Sequence, residues 1–310
     1  MKIRLFPSPP LIGLDIQPTS IHLLQLNKIK NGYLAACAVT HELSENIFAE
    51  GKIKQWDVLR FALSDLVQMH RLHAKAVAIQ LPANLVRMQQ LDVPQGLSSA
   101  QIEAEIDAYI QNDLPGMTDI LCIDYVELPK LRSDYSSLFF AAARKEYLLQ
   151  YIDCVHASGL KVKIVDIDIY ALKRFVSCVW QRETKENAVN AVLSMTHDTV
   201  NLIMFDAFYI RFHQHWKTDE APDFIVQFRT RIQLFSAMFP EAVIQHLIVC
   251  GKQNRLILDE LIHGFAFQVH RLDVFSHIQF ASSDEANLVR SKPDKFVIAA
   301  GLAMRESPSW

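Results

Sequence analysis

Between Leu138 and Phe175 the apolar positions of this chain change period three times. The unbroken run Leu138 to Ala143 predicts a buried strand. Tyr147, Leu148, Tyr151, Ile152 and Val155 then fall at helical spacing, and Ser158-Gly159 ends that helix. Val162, Ile164, Val165 and Ile167 predict a second strand, after which Tyr170, Leu172, Phe175, Val176 and Val179 restart a helical face. Strands and helices joined this tightly belong to a packed α/β domain.

Upstream, Leu11–Ile16 and Ser20–Leu26 read as strands meeting at the turn Gln17-Pro18-Thr19, with a third strand over Tyr33–Val39. Trp56, Leu59, Leu63, Leu66 and Val67 mark an amphipathic helix, and Ala76–Leu81 another strand. From Leu85 the texture changes. Val86–Pro94 alternates like a strand with one wet face, and Ser98-Ser99 caps a helix that shares Ile102, Ile106, Tyr109 and Ile110 on one side. Glu103, Glu105 and Asp107 line the early solvent side of that helix. Leu121–Leu128 is a further strand and Pro129–Ser137 a polar hairpin loop. Continued to Ile167, the order is strand, helix, strand, strand, helix, strand: a ferredoxin-like insert. The polar stretch Gln181–Asn187 reads as a hinge. Beyond it the strand meander repeats over Ala188–Ser194, Thr199–Phe205 and Ala207–His213. A helix over Ala221–Met238, a strand over His246–Gly251 and a helix over Lys295–Met304 complete the pattern.

Half of the 310 residues are hydrophobic, enough for a sizeable core, and the formal charge is -3. With no polybasic run, nucleic acid and anionic lipid are excluded as main partners. Five scattered cysteines, none in a C-x-x-C pair, read as reduced core residues and point to the cytosol. No segment has the roughly 18 apolar residues of a membrane span, and no apolar stretch follows the N-terminal charges as a secretory signal requires.

The segments Gly13-Leu14-Asp15-Ile16, Ala142-Ala143-Arg144-Lys145-Glu146, Ser158-Gly159-Leu160, Val165-Asp166, Ala171-Leu172-Lys173-Arg174 and Ala299-Ala300-Gly301-Leu302-Ala303-Met304-Arg305 follow in this order along the chain. Together they resemble the PilM family, the actin-like proteins of type IV pilus assembly. The resemblance implies an α/β, actin-like (ribonuclease H-like) two-lobed fold with a ferredoxin-like inserted subdomain. The first lobe is expected over 1–84 and 160–182, the insert over 85–159 and the second lobe over 188–295. A closing helix over 296–310 returns to the first lobe. In this family and in the related division protein FtsA, such an insert replaces the usual actin subdomain.

Actin-like nucleotide binders grip phosphates with two short hairpins, an Asp in each orienting magnesium. Carried over, the resemblance implies nucleotide-binding positions at Asp15, Thr19, Ser20, Thr199, Gly251, Lys252 and Gly301, with ATP and Mg as the cofactors it allows. Asp15 reads equally well as an ordinary polar strand end. Several expected positions are eroded. Gln17 stands for a glycine, His22 for a lysine, Pro18 removes an amide donor, and Ser194-Met195-Thr196 replaces Asp-Ile-Gly. His213-Gln214-His215-Trp216 holds no Gly-Gly, and the adenosine-side pair is reduced to Cys250-Gly251-Lys252. ATP hydrolysis is not expected, and no catalytic residue is assigned.

His213 with His215 and His70 with His73 have spacings that suit a metal, but each lacks a nearby third ligand, so no metal site is assigned. Asp166 and Asp168 read as a strand end and a helix cap. No P-loop, nucleophile elbow or dinucleotide fingerprint occurs.

The function implied is a cytoplasmic scaffold of type IV pilus or related type II secretion-like assembly, peripheral at the inner membrane through its partner. That partner is the N-terminal cytoplasmic peptide of a PilN-like inner-membrane protein, held in a groove between the first lobe and the insert, with other pilus assembly proteins as further partners. Gln111-Asn112-Asp113-Leu114-Pro115 replaces the family's Pro-Phe-Pro beside that groove, and no groove residue is identified. The alternative is an actin-like ATP-binding protein or ATPase with nucleotide-gated partner binding.

Overall fold

The computed structural model describes residues 11–30, 32–70, 72, 75–113, 116, 120–128, 135–180, 188–195, 199–207, 209–217, 224–251, 255–272, 275 and 278–305. The chain opens with a meander, β1 (Ile12–Ile16), β2 (Ser20–Ile29) and β3 (Gly32–Glu42). A two-rung hairpin, β4 (Phe48–Ala49) and β5 (Lys52–Ile53), leads to α1 (Trp56–Met69) and β6 (Ala76–Leu81). Next come β7 (Val86–Pro94), α2 (Ser99–Asp113), β8 (Leu121–Glu127), β9 (Tyr135–Arg144), α3 (Lys145–Ala157), β10 (Lys161–Ile167) and α4 (Asp168–Val179). The second half runs β11 (Ala188–Met195), β12 (Thr199–Phe205), β13 (Ile210–Lys217), α5 (Phe224–Met238), β14 (Val243–Gly251), α6 (Arg255–Gly264), β15 (Gln268–Arg271) and β16 (Ile278–Phe280). It closes with α7 (Ser283–Ser291) and α8 (Val297–Ala303).

Two compact units result, Met1–Glu42 with His73–Gln80 and Lys163–Trp310, and Leu43–Leu72 with Leu81–Val162. The first holds two sheets with one repeated plan. Six strands lie in the order β10-β6-β1-β2-β3-β16, and five in the order β13-β12-β11-β14-β15. In each, an antiparallel meander of three strands is followed by a crossover to a strand parallel to the first, β1 with β6 and β11 with β14. All five residues of β1 are buried, as a strand covered on both faces requires. Duplication of this unit is the two-lobed actin-like architecture implied by the sequence. The expected hinge, 181–187, lies outside the described residues. The core of the second sheet is built from Phe228 and Phe235 of α5 and Leu261 of α6 against Leu193, Leu202, Phe212 and Trp216.

One strand joins the six-stranded sheet from an unexpected place. β16 comes from the stretch expected to form the second lobe, yet it pairs in parallel with β3. β10, which ends the ferredoxin-like pattern and falls in the stretch 160–182 expected in the first lobe, lies beside β6. The insert's own sheet, β7-β9-β8, therefore has three strands among the described residues. Ile102, Ile106 and Ile110 of α2 cover Leu138, Phe140 and Ala142 of β9. Gln101 accepts from the Ser98 backbone N–H at 2.9 Å, the back-reaching half of a capping box. Residues 43–72, expected in the first lobe, cluster instead with the insert unit. There Trp56 of α1 meets Tyr147 and Tyr151 of α3 at 5.7 and 6.3 Å between ring centroids, and Tyr147 accepts from Ile53 N–H at 3.2 Å.

The closing helix α8 docks between β1 and α4 almost backbone to backbone. A Cβ on Gly13 of β1 would run into the Ala299 carbonyl, and a Cβ on Gly301 into the Ala171 carbonyl of α4. Asp166, at the end of β10, is paired with Arg174 of α4 and with Arg305 just past α8, each at 2.8 Å. Arg174 also donates to the Gly301 carbonyl at 2.8 Å. Because backbone cannot yield as a side-chain tip can, Gly301→Ala is expected to cost about 1–3 kcal/mol or more, lowering the melting temperature by several degrees. The exposed Gly264 should tolerate Ala within about 0.5 kcal/mol, because the added methyl would meet only an Arg229 side-chain atom, at 3.8 Å. Equal circular-dichroism melts for the two variants would show that the close approach is not a constraint.

Candidate functional site

The turn 17–19 returns β1 into β2 with Asp15 opposite His22. It is closed by Gln17 N–H donating to the Ser20 carbonyl at 2.8 Å. Asp15 is only 2% exposed, and its Oδ1 accepts from Gln17 Nε2 at 2.7 Å and from Gln80 Nε2 of β6 at 2.9 Å. Gln80 Nε2 also lies 3.3 Å from the Ile16 carbonyl, while Gln80 Oε1 is buried with no donor upon it. Burial pushes the Asp15 carboxyl up to about 7; the two amide donors pull it down, and Asp168 adds to the rise. Thr19 is exposed at the turn, but Ser20 is buried, its Oγ 2.9 Å from His22 Nε2. His22 Nδ1 lies 3.2 Å from Thr40 Oγ1, and the ring meets Phe296 edge-on at 5.6 Å. Burial holds His22 down at about 3, with Lys295 and Lys292 acting in the same direction, so the imidazole is neutral at physiological pH.

On the second sheet, Ser194 stands opposite both Asn201 and Cys250, and Asn201 opposite His215. Cross-strand partners share a face, so His215, Asn201, Ser194 and Cys250 form one row at the C-terminal end of β11. Asn201 Oδ1 lies 3.1 Å from His215 Nδ1 and 3.3 Å from His213 Nε2, so one amide oxygen serves both rings. Burial lowers His213 to about 4, and His215 adds to that shift. Burial pushes the Cys250 thiol up to about 12, so it stays protonated and unreactive. Thr199 opens β12 and Gly251 closes β14 opposite Met195, whereas Lys252 and 196–198 lie outside the described residues. Gly301 sits in α8 against Ala171, where its missing side chain serves helix packing. His73 is outside the described residues, and His70 closes α1. Among the described residues, no group of three or more His, Cys, Asp or Glu could hold a metal ion.

Two parts of this arrangement escape a reading of the sequence. Gln80, in an otherwise apolar strand, is the one signal of a buried polar partner for Asp15. Asp166 reads as a plain strand end, although the segments that resemble the family contain Asp166, Arg174 and Arg305 together.

The first hairpin does not suit magnesium and a triphosphate. Its carboxylate is buried, with one oxygen filled by two amides, and its serine hydroxyl is engaged with His22. The position of the second carboxylate is Ser194, beside a protonated thiol.

The profile of the family described as type IV pilus assembly protein PilM matches residues 13–209. The chain belongs to the PilM family. Among solved structures it is similar to the PilM–PilN type IV pilus biogenesis complex, with TM-score 0.78 and 14% identity over 98% of this chain and 100% of that one. It is also similar to the cytoplasmic domain of EpsL, an inner membrane component of the type II secretion system of Vibrio cholerae. There the TM-score is 0.53 with 10% identity, covering 96% of each chain. Four of the six segments that carry the PilM resemblance converge in this structure on the α8 closure, through Gly13, Asp166, Arg174, Gly301 and Arg305.

Two outcomes are expected from this PilM-family hairpin. A carboxyl raised in the folded state favours folding only while protonated, so its contribution is full below about pH 4 and is lost as pH rises through about 7. The loss is of the order of 4 kcal/mol. Asp15→Asn should therefore be more stable relative to wild type at pH 8 than at pH 5, read as urea midpoints; a gap independent of pH would contradict the buried carboxyl. Nor should millimolar Mg-ATP shift the melting temperature, whereas ligand at 100 times its dissociation constant would add about 2.7 kcal/mol.

Proposed function

We propose that this chain is a cytoplasmic scaffold of type IV pilus assembly, or of a related type II secretion-like machine, that captures the N-terminal cytoplasmic peptide of a PilN-like inner-membrane protein. Membership of the PilM family, over 13–209, is the observation that carries this reading. Likeness over 98% of the chain to a PilM in complex with PilN supports the choice of partner. No helix among the described residues is long and apolar enough to cross a membrane. In this proposal, the partner supplies the attachment to the inner membrane. A flexible peptide loses conformational entropy on docking, so a few buried apolar anchors dominate its affinity. Asp15 and Ser20 of the first hairpin are hydrogen-bonded within the protein, which favours capture that does not wait for nucleotide over nucleotide-gated capture.

The test is calorimetric titration of the purified chain with a synthetic peptide spanning the cytoplasmic N-terminus of the PilN-like protein from the same genome. Binding at about 1 µM, or roughly -8 kcal/mol, is expected. It should be unchanged by Mg-ATP and in Asp15→Ala. No binding, with no co-elution of the full-length partner, would sink the scaffold reading. Binding only in the presence of nucleotide would restore the gated alternative.

A further inference from the structure

Among its described residues, the insert unit has an open strand edge beneath a helix. Among the described residues, β8 is the outer strand of the sheet β7-β9-β8. Leu128 N–H points inward and donates to Ser137 of the neighbouring strand at 2.8 Å, whereas Tyr125 N–H is turned onto the Asp124 side chain at 3.0 Å. Backbone groups alternate in an antiparallel pair, so Ile123, Tyr125 and Glu127 direct their N–H and C=O groups away from β9. Between this edge and α2 runs a groove of about 370 Å³, lined by Glu103, Ile106, Asp107, Ile123, Asp124 and Tyr125. Ile106 is buried and Ile123 and Tyr125 half-buried, giving an apolar floor, while Glu103, Asp107 and Asp124 are exposed.

Charge says what such a groove accepts. From 88 to 129 the chain carries eight Asp and Glu and no Lys, Arg or His. All 31 of its Lys and Arg therefore lie elsewhere, and the net charge of -3 averages a strongly negative segment with a positive remainder. The rim of the groove thus has no basic residue from its own elements, α2 and β8. An extended segment laid along β8 would gain main-chain hydrogen bonds from the outward amides and carbonyls. Its alternate side chains would reach the apolar floor and the acidic rim.

We infer that the groove between α2 and the β8 edge is a second docking site, which takes a basic, extended segment of a partner protein by strand addition. Asp124, bonded to the Tyr125 amide, guards the edge of the free protein against indiscriminate pairing, as charged residues on edge strands do. This site goes beyond capture of a PilN-like peptide and does not depend on it.

The probe is a fluorescent peptide of alternating Lys and Val, titrated against the full chain by anisotropy, with hydrogen exchange to locate it. Saturable binding that weakens with salt, with new protection confined to 121–127, is expected. A control peptide of the same sequence, N-methylated at alternate amides, keeps the charge but cannot pair with the edge, and should not bind. Neutralising the rim (Glu103→Gln, Asp107→Asn, Asp124→Asn), all at exposed positions, should weaken binding about tenfold without changing the melting temperature. No binding, equal binding of the methylated peptide, equal binding to the neutralised variant, or protection elsewhere would each overturn the inference. Salt-sensitive self-association in place of peptide capture would also overturn it, by making a second copy the occupant.

Discussion

Backbone-to-backbone docking of the closing helix is the constraint on which the larger unit rests. Gly13 and Gly301 remove the atoms that would hold α8 away from β1 and α4. Asp166 then ties together α4 and the residue that follows α8. A nearly buried carboxylate between two guanidiniums is costly to desolvate and contributes little net stability, but it fixes which helix lies where. Small residues supply the closeness and the ion cluster supplies the register. α4 carries the constraint onward into the second sheet, where Lys173 lies 5.6 Å from the Phe205 ring centroid.

Much of this is legible in the sequence, because local periodicity reports which face of an element is buried. The two meanders, the amphipathic helices and the turn at 17–19 all follow from apolar spacing and turn residues. Periodicity does not say which sheet edge a strand will join. Hence β16 reads as part of the second lobe, although it completes the six-stranded sheet. Nor does it say which unit a helix will join. α1 lies with the insert because Trp56 finds Tyr147 and Tyr151, far away along the chain.

The candidate site is legible in its losses more than in its replacements. Gln17 and His22 stand out as departures from a phosphate-gripping hairpin. What they do instead depends on Gln80 and Thr40, which lie on strands whose pairing is not written locally. The result is a hairpin whose polar groups are largely satisfied within the protein. An imidazole held neutral and a carboxyl held high by burial suit a packed joint better than a site that must attract magnesium and phosphate. Gly13, Asp166, Arg174, Gly301 and Arg305, all in segments that carry the family resemblance, serve the packing of α8.

The same closure sets the order in which the protein can be made. α8 comes after every strand of the β1 sheet in chain order, so that sheet lacks this cover until α8 has been synthesised. The insert unit, whose segments all lie between Leu43 and Val162, is under no such delay and can fold while the ribosome is still at work. The insert, with its acidic edge, can therefore form before α8 closes the sheet that begins with β1.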